Sequence, residues 1–345
     1  MNLAWKEIKK NKARFIILGS IIFLVSFLTF MISGLSNGLS QDNASLIKNL
    51  PDGHFYMNAD AEENYLASKI DKEMEEKILA ENRNAAAIAI QMGFINDDQD
   101  RQHSVAFVTA AAQSPFFDEV KKGEIILDRS LKEEGVKIGD KVKNNQYEGE
   151  LIVKGFADHK KFSHAPAAFI NQEDYQEIFK QNEMQFIFLP LKDETLSFTG
   201  LQSFTNDEFL STIPSYSAEQ LSLTMISWFL IVISGMLFTI FFYMMNVQKI
   251  GLYGILKAIG MKTRALFVMM WSQMIIITLI SLSISVLLSQ ALESIAPRGI
   301  PFYLPAETSL QLSLVFAAVG FIGATLSGIQ IKKVEPLKAI QQGEG

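Results

Sequence analysis

The segment Lys249–Leu266 reads KIGLYGILKAIGMKTRAL. It carries four basic residues and three glycines, and it sits between two long stretches that hold no charged side chain. Its pattern is helical: Leu252, Ile255, Leu256 and Ile259 recur on one side, with Lys257 and Lys262 elsewhere. Gly260, followed by Met261 and Lys262, predicts the C-terminal stop. A short amphipathic helix tied at both ends to membrane spans can transmit a push. It can also seat its apolar side in a groove on a soluble partner.

The flanking runs set the fold class. Four windows lack Asp, Glu, Lys, Arg and His: Phe15–Gln41, Gln220–Gln248, Ala265–Leu292 and Thr308–Ile331. A helix needs about 20 apolar residues to cross a hydrocarbon core, whereas buried core helices seldom exceed about 14. Continuous apolar runs, not alternating ten-residue segments, point to helices over a barrel. The expectation is four transmembrane α-helices over 15–41, 219–248, 265–292 and 308–331. The first is not read as a cleaved signal: its apolar region is longer than the usual 7–15 residues or so, and no A-x-A site follows. At about 1.5 Å per residue the first two windows reach roughly 40 Å, past the hydrocarbon thickness of about 30 Å. Both are therefore expected to continue outward as a short stalk. In SGLSNGLSQ (33–41), Gly34 and Gly38 either loosen that extension or let another helix approach closely.

The net charge of −6 hides a sidedness. Lys6, Lys9, Lys10, Lys12 and Arg14 precede span one, and Lys332, Lys333 and Lys338 follow span four. The loop at 293–307 carries only Arg298 as a basic residue. The positive-inside rule puts both termini, the 249–264 loop and the 332–345 tail in the cytoplasm, with 42–218 outside. Residues 1–14, with Trp5 and Ile8 among the lysines, read as an interfacial amphipathic helix.

The 42–218 segment reads as a mixed α/β extracytoplasmic domain inserted between helices 1 and 2. Strands are expected at 54–58, 86–95, 104–111, 123–128, 150–157, 167–170 and 185–191. Helices are expected at 63–80, 128–134 and 172–182, the first on the four-residue recurrence of Leu66, Ile70, Met74 and Ile78. VKIGDKV (136–142) reads as a turn entering a strand. With no cysteine, this domain is stable through its own core, and thiolate ligands and nucleophiles are excluded.

YGILKAIGMKTRAL resembles the GILKAIGA signature of ABC-transporter permeases of the MacB/FtsX/LolC type. The tail IKKVEPLKAIQQG (331–343) resembles that family's closing segment, and ILDRSLKEEGVKIGDKV (126–142) its outer-domain stretch ending in GDxV. GFADHKKFSHAPAAFI (155–170) is similar to the hemin-exporter (HrtB-like) and DevC-like branch. The resemblance spans essentially the whole chain. It implies a homodimer in the lipid bilayer with ABC ATPase subunits, and a coupling helix formed by Tyr253, Gly254, Ile255, Leu256, Lys257, Ile259 and Gly260. Leu252 stands where the family often has an acidic residue. The resemblance further implies that the outer ends of spans one and two form the entry site for a membrane-embedded substrate. Phe27, Met31, Met225 and Trp228 are the expected substrate residues, suited by shape and polarisability to a flat apolar ligand such as hemin.

No phosphate-binding G-x-x-x-x-G-K-[ST] occurs, so ATP hydrolysis is expected on a separate chain and no catalysis on this one. His54, His103, His159 and His164 all fall in the inserted domain; His159 and His164, five apart, do not match a zinc or haem spacing, and the four read as surface or turn histidines. No resident cofactor, metal site or nucleic-acid partner is expected. Hemin is the first substrate expected, and peptide, lipid or antibiotic the second. An FtsX-like regulator that activates a cell-wall hydrolase without transport is the competing reading. A ligand sensor lacks any kinase or receiver segment here.

Overall fold

The computed structural model describes residues 2–111, 116–147, 149–190, 196–295 and 300–329. Arg298 and the 331–343 motif, with the whole 332–345 tail, lie outside the described residues. The elements begin with α1 (Asn2–Lys10), α2 (Lys12–Lys48), β1 (His54–Asn58), α3 (Lys72–Glu81), β2 (Ala86–Asn96), β3 (Gln102–Ala110) and β4 (Glu124–Asp128). There follow α4 (Arg129–Glu133), β5 (Lys141–Lys143), β6 (Glu150–Ala157), β7 (Lys161–Phe162), β8 (Ala165–Ile170), α5 (Gln172–Phe179), β9 (Phe186–Leu189) and β10 (Leu201–Thr205). The chain continues with α6 (Asn206–Ser211), α7 (Pro214–Val247), α8 (Ile250–Ala258), α9 (Thr263–Ile295) and α10 (Ala306–Ser327). Two compact units result: Met1–Gly38 with Leu221–Gly345, and Leu39–Gln220.

In the first unit, α2, α7, α9 and α10 are each long and apolar enough to cross a bilayer. Their packing uses small and polar residues, as expected where lipid removes the hydrophobic drive for helix association. Ser281 Oγ donates to the Gly19 carbonyl at 2.9 Å, and Ser285 Oγ shares a 2.7 Å hydrogen bond with Ser26 Oγ. These serines recur every four residues and fasten α9 to α2. Large apolar side chains such as Leu221, Leu287 and Ile240 stand outward.

Gly34 and Gly38 do not loosen α2, which continues to Lys48 with one non-helical residue, Ala44. Nor does another helix approach them. The segment before α10 does: a side chain at Gly34 would collide with the Phe302 ring, and one at Gly38 with the Pro301 carbonyl. The Tyr303 N–H donates to the Gly34 carbonyl at 2.9 Å.

The second unit is built on one sheet in the order β10-β1-β9-β2-β3-β8-β4-β6-β5, with β7 paired to β8. Most pairs are antiparallel, but β3–β8 and β4–β6 are parallel. Asn96 on β2 also pairs with Lys143 on β5, so the last strand in this order returns to the middle of the sheet. Alternation sorts the side chains onto two buried faces. Phe55, Met57, Ile88, Ile90, Phe186 and Phe188 join one core with the end of α2 and with α6. Their neighbours Tyr56, Ala87, Ala89 and Ile187 join a second core with α3, α4 and α5. A sheet covered on both faces explains why its strands read as continuous apolar runs.

Two regions differ from the sequence reading. The helix expected over 63–80 forms only at 72–81. Ile70 is instead tied to Met184 by a backbone hydrogen bond of 2.8 Å, and Asp71 caps α3 by accepting from the Glu73 N–H at 2.9 Å. The four-residue recurrence thus straddles a helix start, with Ile70 buried from a bridge and Ile78 from a helix. β10 and α6 were not expected. β10 is an edge strand that buries only Phe204, so it has little apolar signature. α6 did carry a signal: Thr205 and Glu208 form a capping box just before Phe209 and Leu210.

Candidate functional site

The segment that opened the sequence reading folds as a short helix between two spans. α8 ends in a Schellman arrangement: the Met261 N–H donates to the Leu256 carbonyl at 2.9 Å and the Gly260 N–H to the Lys257 carbonyl at 3.0 Å. Gly260 has φ +96°, a left-handed backbone that glycine adopts without a Cβ penalty. The chain can therefore turn at once into α9.

The two faces of α8 differ. Tyr253 and Gly254 point inward and are buried. The Tyr253 hydroxyl donates to Asn246 Oδ1 at 3.1 Å, and Asn246 Nδ2 donates to Ser327 Oγ at 3.2 Å and toward Met270 Sδ at 3.4 Å. One side chain thereby links α8 to α7, α9 and α10. Burial, helped by the Glu7 carboxylate, pushes the Tyr253 hydroxyl pKa up, so it stays a donor. At the start of α8, Lys249 is ion-paired with Glu7 of α1, and its ammonium lies 5.7 Å from the centre of the Phe15 ring of α2. Gln273 Nε2 of α9 donates to the same Glu7 carboxylate at 2.5 Å. α8 and its N-cap Lys249 thus touch α7, α1 and α2 directly, and reach α9 and α10 through Asn246 and Glu7.

The outer face is an apolar stripe. Leu252, Ile255 and Ile259 are exposed, Ile259 by 74%, while Leu256 and Lys257 are half-buried and Gly260 is exposed at the turn. Leu256 packs partly against the membrane core rather than joining the stripe, which corrects the four-residue side read from the pattern. Of the seven residues expected to couple, Ile255 and Ile259 are the two apolar ones most free to touch a partner. Tyr253 and Gly254 can act only through the helix they anchor.

The expected substrate residues fall on two helices. Phe27 and Met31 are half-buried on α2, and Phe27 stacks on Phe23 with ring centres 5.7 Å apart. Met225 and Trp228 are exposed on α7, in a row with Leu221 and Val232. The apolar cavities against α2 and α9 and between α7 and α10 are lined by none of these four.

The histidines are more engaged than a surface reading suggests. His103 is buried, with Nδ1 2.8 Å from Glu134 and Nε2 3.2 Å from Asp97. His164 lies between Glu219 of α7, at 2.9 Å, and Asp42 of α2, at 3.4 Å. Lys161 is ion-paired with the same Asp42, and Asn43 Nδ2 donates to Ser215 Oγ at 3.0 Å. This cluster fastens the α2 and α7 ends to the β7–β8 turn within the sheet domain. Among the described residues, no group of three His, Asp or Glu is arranged to hold a metal ion. The pattern reading missed Glu7, Asn246, Gln273 and Ser327. Their signal was available: isolated polar residues in or beside apolar spans, which are costly unless they do something there.

Comparison with known proteins bears on the family. Residues 224–336 match the family described as FtsX-like permease C-terminal. A protein of Staphylococcus haemolyticus (strain JCSC1435), provisionally named hemin transport system permease protein HrtB, is 31% identical over 356 residues, with 99% of each chain covered. A Staphylococcus epidermidis (strain ATCC 12228) protein of the same provisional name is 30% identical over 354 residues, with 100% of each covered. Among solved structures, the periplasmic region of MacB from Actinobacillus actinomycetemcomitans matches with a TM-score of 0.33 and 10% identity, over 46% of this chain and 91% of that one. From end-to-end identity at this level, together with the matched C-terminal region, the chain belongs to the FtsX-like permeases.

Proposed function

We propose that this chain is the permease subunit of an ATP-driven exporter that draws hemin out of the membrane and expels it. In this reading the termini and α8 face the cytoplasm, the sheet domain faces outward, and two copies work with two ABC ATPase subunits. ATP binding on those subunits moves α8, and the polar contacts of Tyr253 and Lys249 spread the motion to the other helices. Phe27, Met31, Met225 and Trp228 are the proposed hemin contacts, at the outer ends of spans one and two.

The observation that carries the reading is α8 itself. Its inner face is anchored through Tyr253 to Asn246 of α7, which in turn bonds α9 and α10, and its outer face offers an uncovered apolar stripe, in a chain similar over its full length to proteins named for hemin transport. A stripe of residues at i, i+3 and i+7 suits a helix seated in a groove on a partner. The test is co-purification of the ATPase with Ile255→Asp and Ile259→Asp, followed by hemin titration of the wild type through its Soret band. The expectation is loss of the ATPase from both variants and a saturable hemin shift. Retained ATPase would overturn the docking role. No shift beyond that of empty micelles would move the cargo to peptide or lipid and favour a regulator of a cell-wall hydrolase.

A further inference from the structure

A cavity of about 410 Å³ lies against α1, α2 and α9. Its two ends differ in chemistry. At one end stand Trp5, Lys9 and Lys12. Deeper in, the walls are Gly19, Phe23, Ile280 and Ile284. A Cβ at Gly19 would stand 3.5 Å from Ile277 and Ser281 of α9, so the bare glycine lines the floor of a trough where α2 and α9 meet. Lys9 and Lys12 are exposed, and neither is paired with a carboxylate among the described residues. The Lys9 ammonium lies over the Trp5 ring, 5.6 Å from its centre. α1 is held in place as the rim of this trough by Ala4, which is buried, and by Glu7 bonded to Gln273 of α9.

The length of the trough is informative. From Lys12 to Phe23, α2 rises by roughly 16 Å at about 1.5 Å per residue. One leaflet of hydrocarbon is about half of 30 Å. The trough therefore runs from a basic, aromatic rim, the composition found at headgroup level, to the depth at which an acyl chain ends. A free phosphate would satisfy the lysines but not the apolar walls, and a neutral lipid would satisfy the walls but not the lysines. We infer that this trough is a binding site for an anionic phospholipid, with its phosphate on Lys9 and Lys12 and an acyl chain along Gly19, Phe23, Ile280 and Ile284. The inference requires only that the four long helices span a bilayer, and it is independent of the cargo.

The test is native mass spectrometry of the full chain, purified in detergent and supplied with phosphatidylglycerol or phosphatidylcholine. The expectation is retention of phosphatidylglycerol on the order of thirtyfold better, the combined effect of two lysines at an anionic headgroup. The double variant Lys9→Gln/Lys12→Gln should erase the preference, and Ile280→Trp, at a half-exposed position, should reduce retention of both lipids. Lys262→Gln, a basic change away from the trough, should leave the preference intact. Equal retention of the two lipids by the wild type, or a preference that survives the double variant or falls equally in Lys262→Gln, would overturn the site. The chain has no cysteine, so Ile16→Cys and Ile280→Cys give clean cross-linking reports. Efficient disulfide formation between two copies in the membrane would show that a second copy fills the trough, and would also overturn it.

Discussion

In the sheet domain large apolar side chains are buried and buried polar groups pin loops. In the membrane helices many large apolar side chains, such as Leu221, Trp228 and Leu287, are outward, and buried polar groups join helix to helix. Phe55 shows the first pattern: it is fully buried and packs on Phe209 at 4.2 Å and Phe188 at 4.8 Å between ring centres. Asp174, buried in the same domain, accepts from the Gly123 N–H at 2.7 Å and so holds a loop. Asn246 and Ser285 show the second pattern, each bridging two or more spans. The difference follows from solvent. Water drives apolar surface inward, whereas lipid is as apolar as leucine and leaves packing and hydrogen bonds to choose the helix partners.

The largest test of this contrast compares equal truncations. Phe55→Ala should destabilise the sheet domain by about 3–5 kcal/mol, the usual cost of emptying an aromatic core site. Met236→Ala, at an outward position on α7, should change stability by no more than about 0.5 kcal/mol. Thermal unfolding of each full-length variant in detergent reads both. Similar losses would mean that Met236 is covered in the assembled protein.

The next test addresses the buried polar contacts. Glu7→Gln leaves the Lys249 ammonium buried without its counter-charge, which typically costs about 3 kcal/mol. Lys249→Met should cost less, because Gln273 still donates to Glu7. The double variant should lose less than the sum of the singles, giving a coupling energy in a thermal double-mutant cycle. Strict additivity would mean that the pair does not fasten α1 to the start of α8.

The same contrast governs what could be read in advance. Charge-free windows report spans directly, because a lipid-facing helix tolerates few charges over its whole length. The sheet strands were legible because both faces are apolar. The failures occurred where specific hydrogen bonding overrides pattern: the Ile70 backbone pairs with Met184 outside any helix, and the His103 ring is drawn inside by two side-chain carboxylates. For the site, the position and stop of α8 were legible through Gly260. Its orientation was not, since Leu256 and Ile259 look alike in sequence and only packing tells that one turns inward. The polar contacts around α8 join residues as far as 266 positions apart, as with Glu7 and Gln273, and no local period encodes such pairs.

A smaller effect separates the two environments by pH. Burial alone would raise the Asp97 carboxyl pKa, but the N–H groups of Arg101, its guanidinium, His103 and the Gln99 N–H outweigh that and hold it well below the usual carboxylate range. A depressed folded pKa contributes stability that is complete above the unfolded value of about 3.9 and is lost as pH falls below it. Asp97→Asn should therefore be less stable than the wild type at neutral pH, with the gap narrowing as pH drops below about 4. Acid unfolding curves of the two proteins read this. A gap that stays constant through that range would assign the contribution to hydrogen bonding without charge.

The smallest test isolates the backbone within α8, where solvent and packing change least. Gly251 lies near the start of α8 and Gly260 just past its end, and neither has a heavy atom within 4 Å of where a Cβ would stand. Space is thus equal at the two sites and only backbone geometry differs. Gly260 is left-handed at φ +96°, so Gly260→Ala should cost about 1 kcal/mol. Gly251 lies inside the first turn of α8, so Gly251→Ala should stabilise by about 0.5–1 kcal/mol through lost freedom in the unfolded chain. Hydrogen exchange of the α8 amides would show slower exchange for the second variant and faster for the first. If both variants instead weaken ATPase co-purification equally, the small residues are required by a surface seated against α8, and the local-backbone account of Gly251 fails.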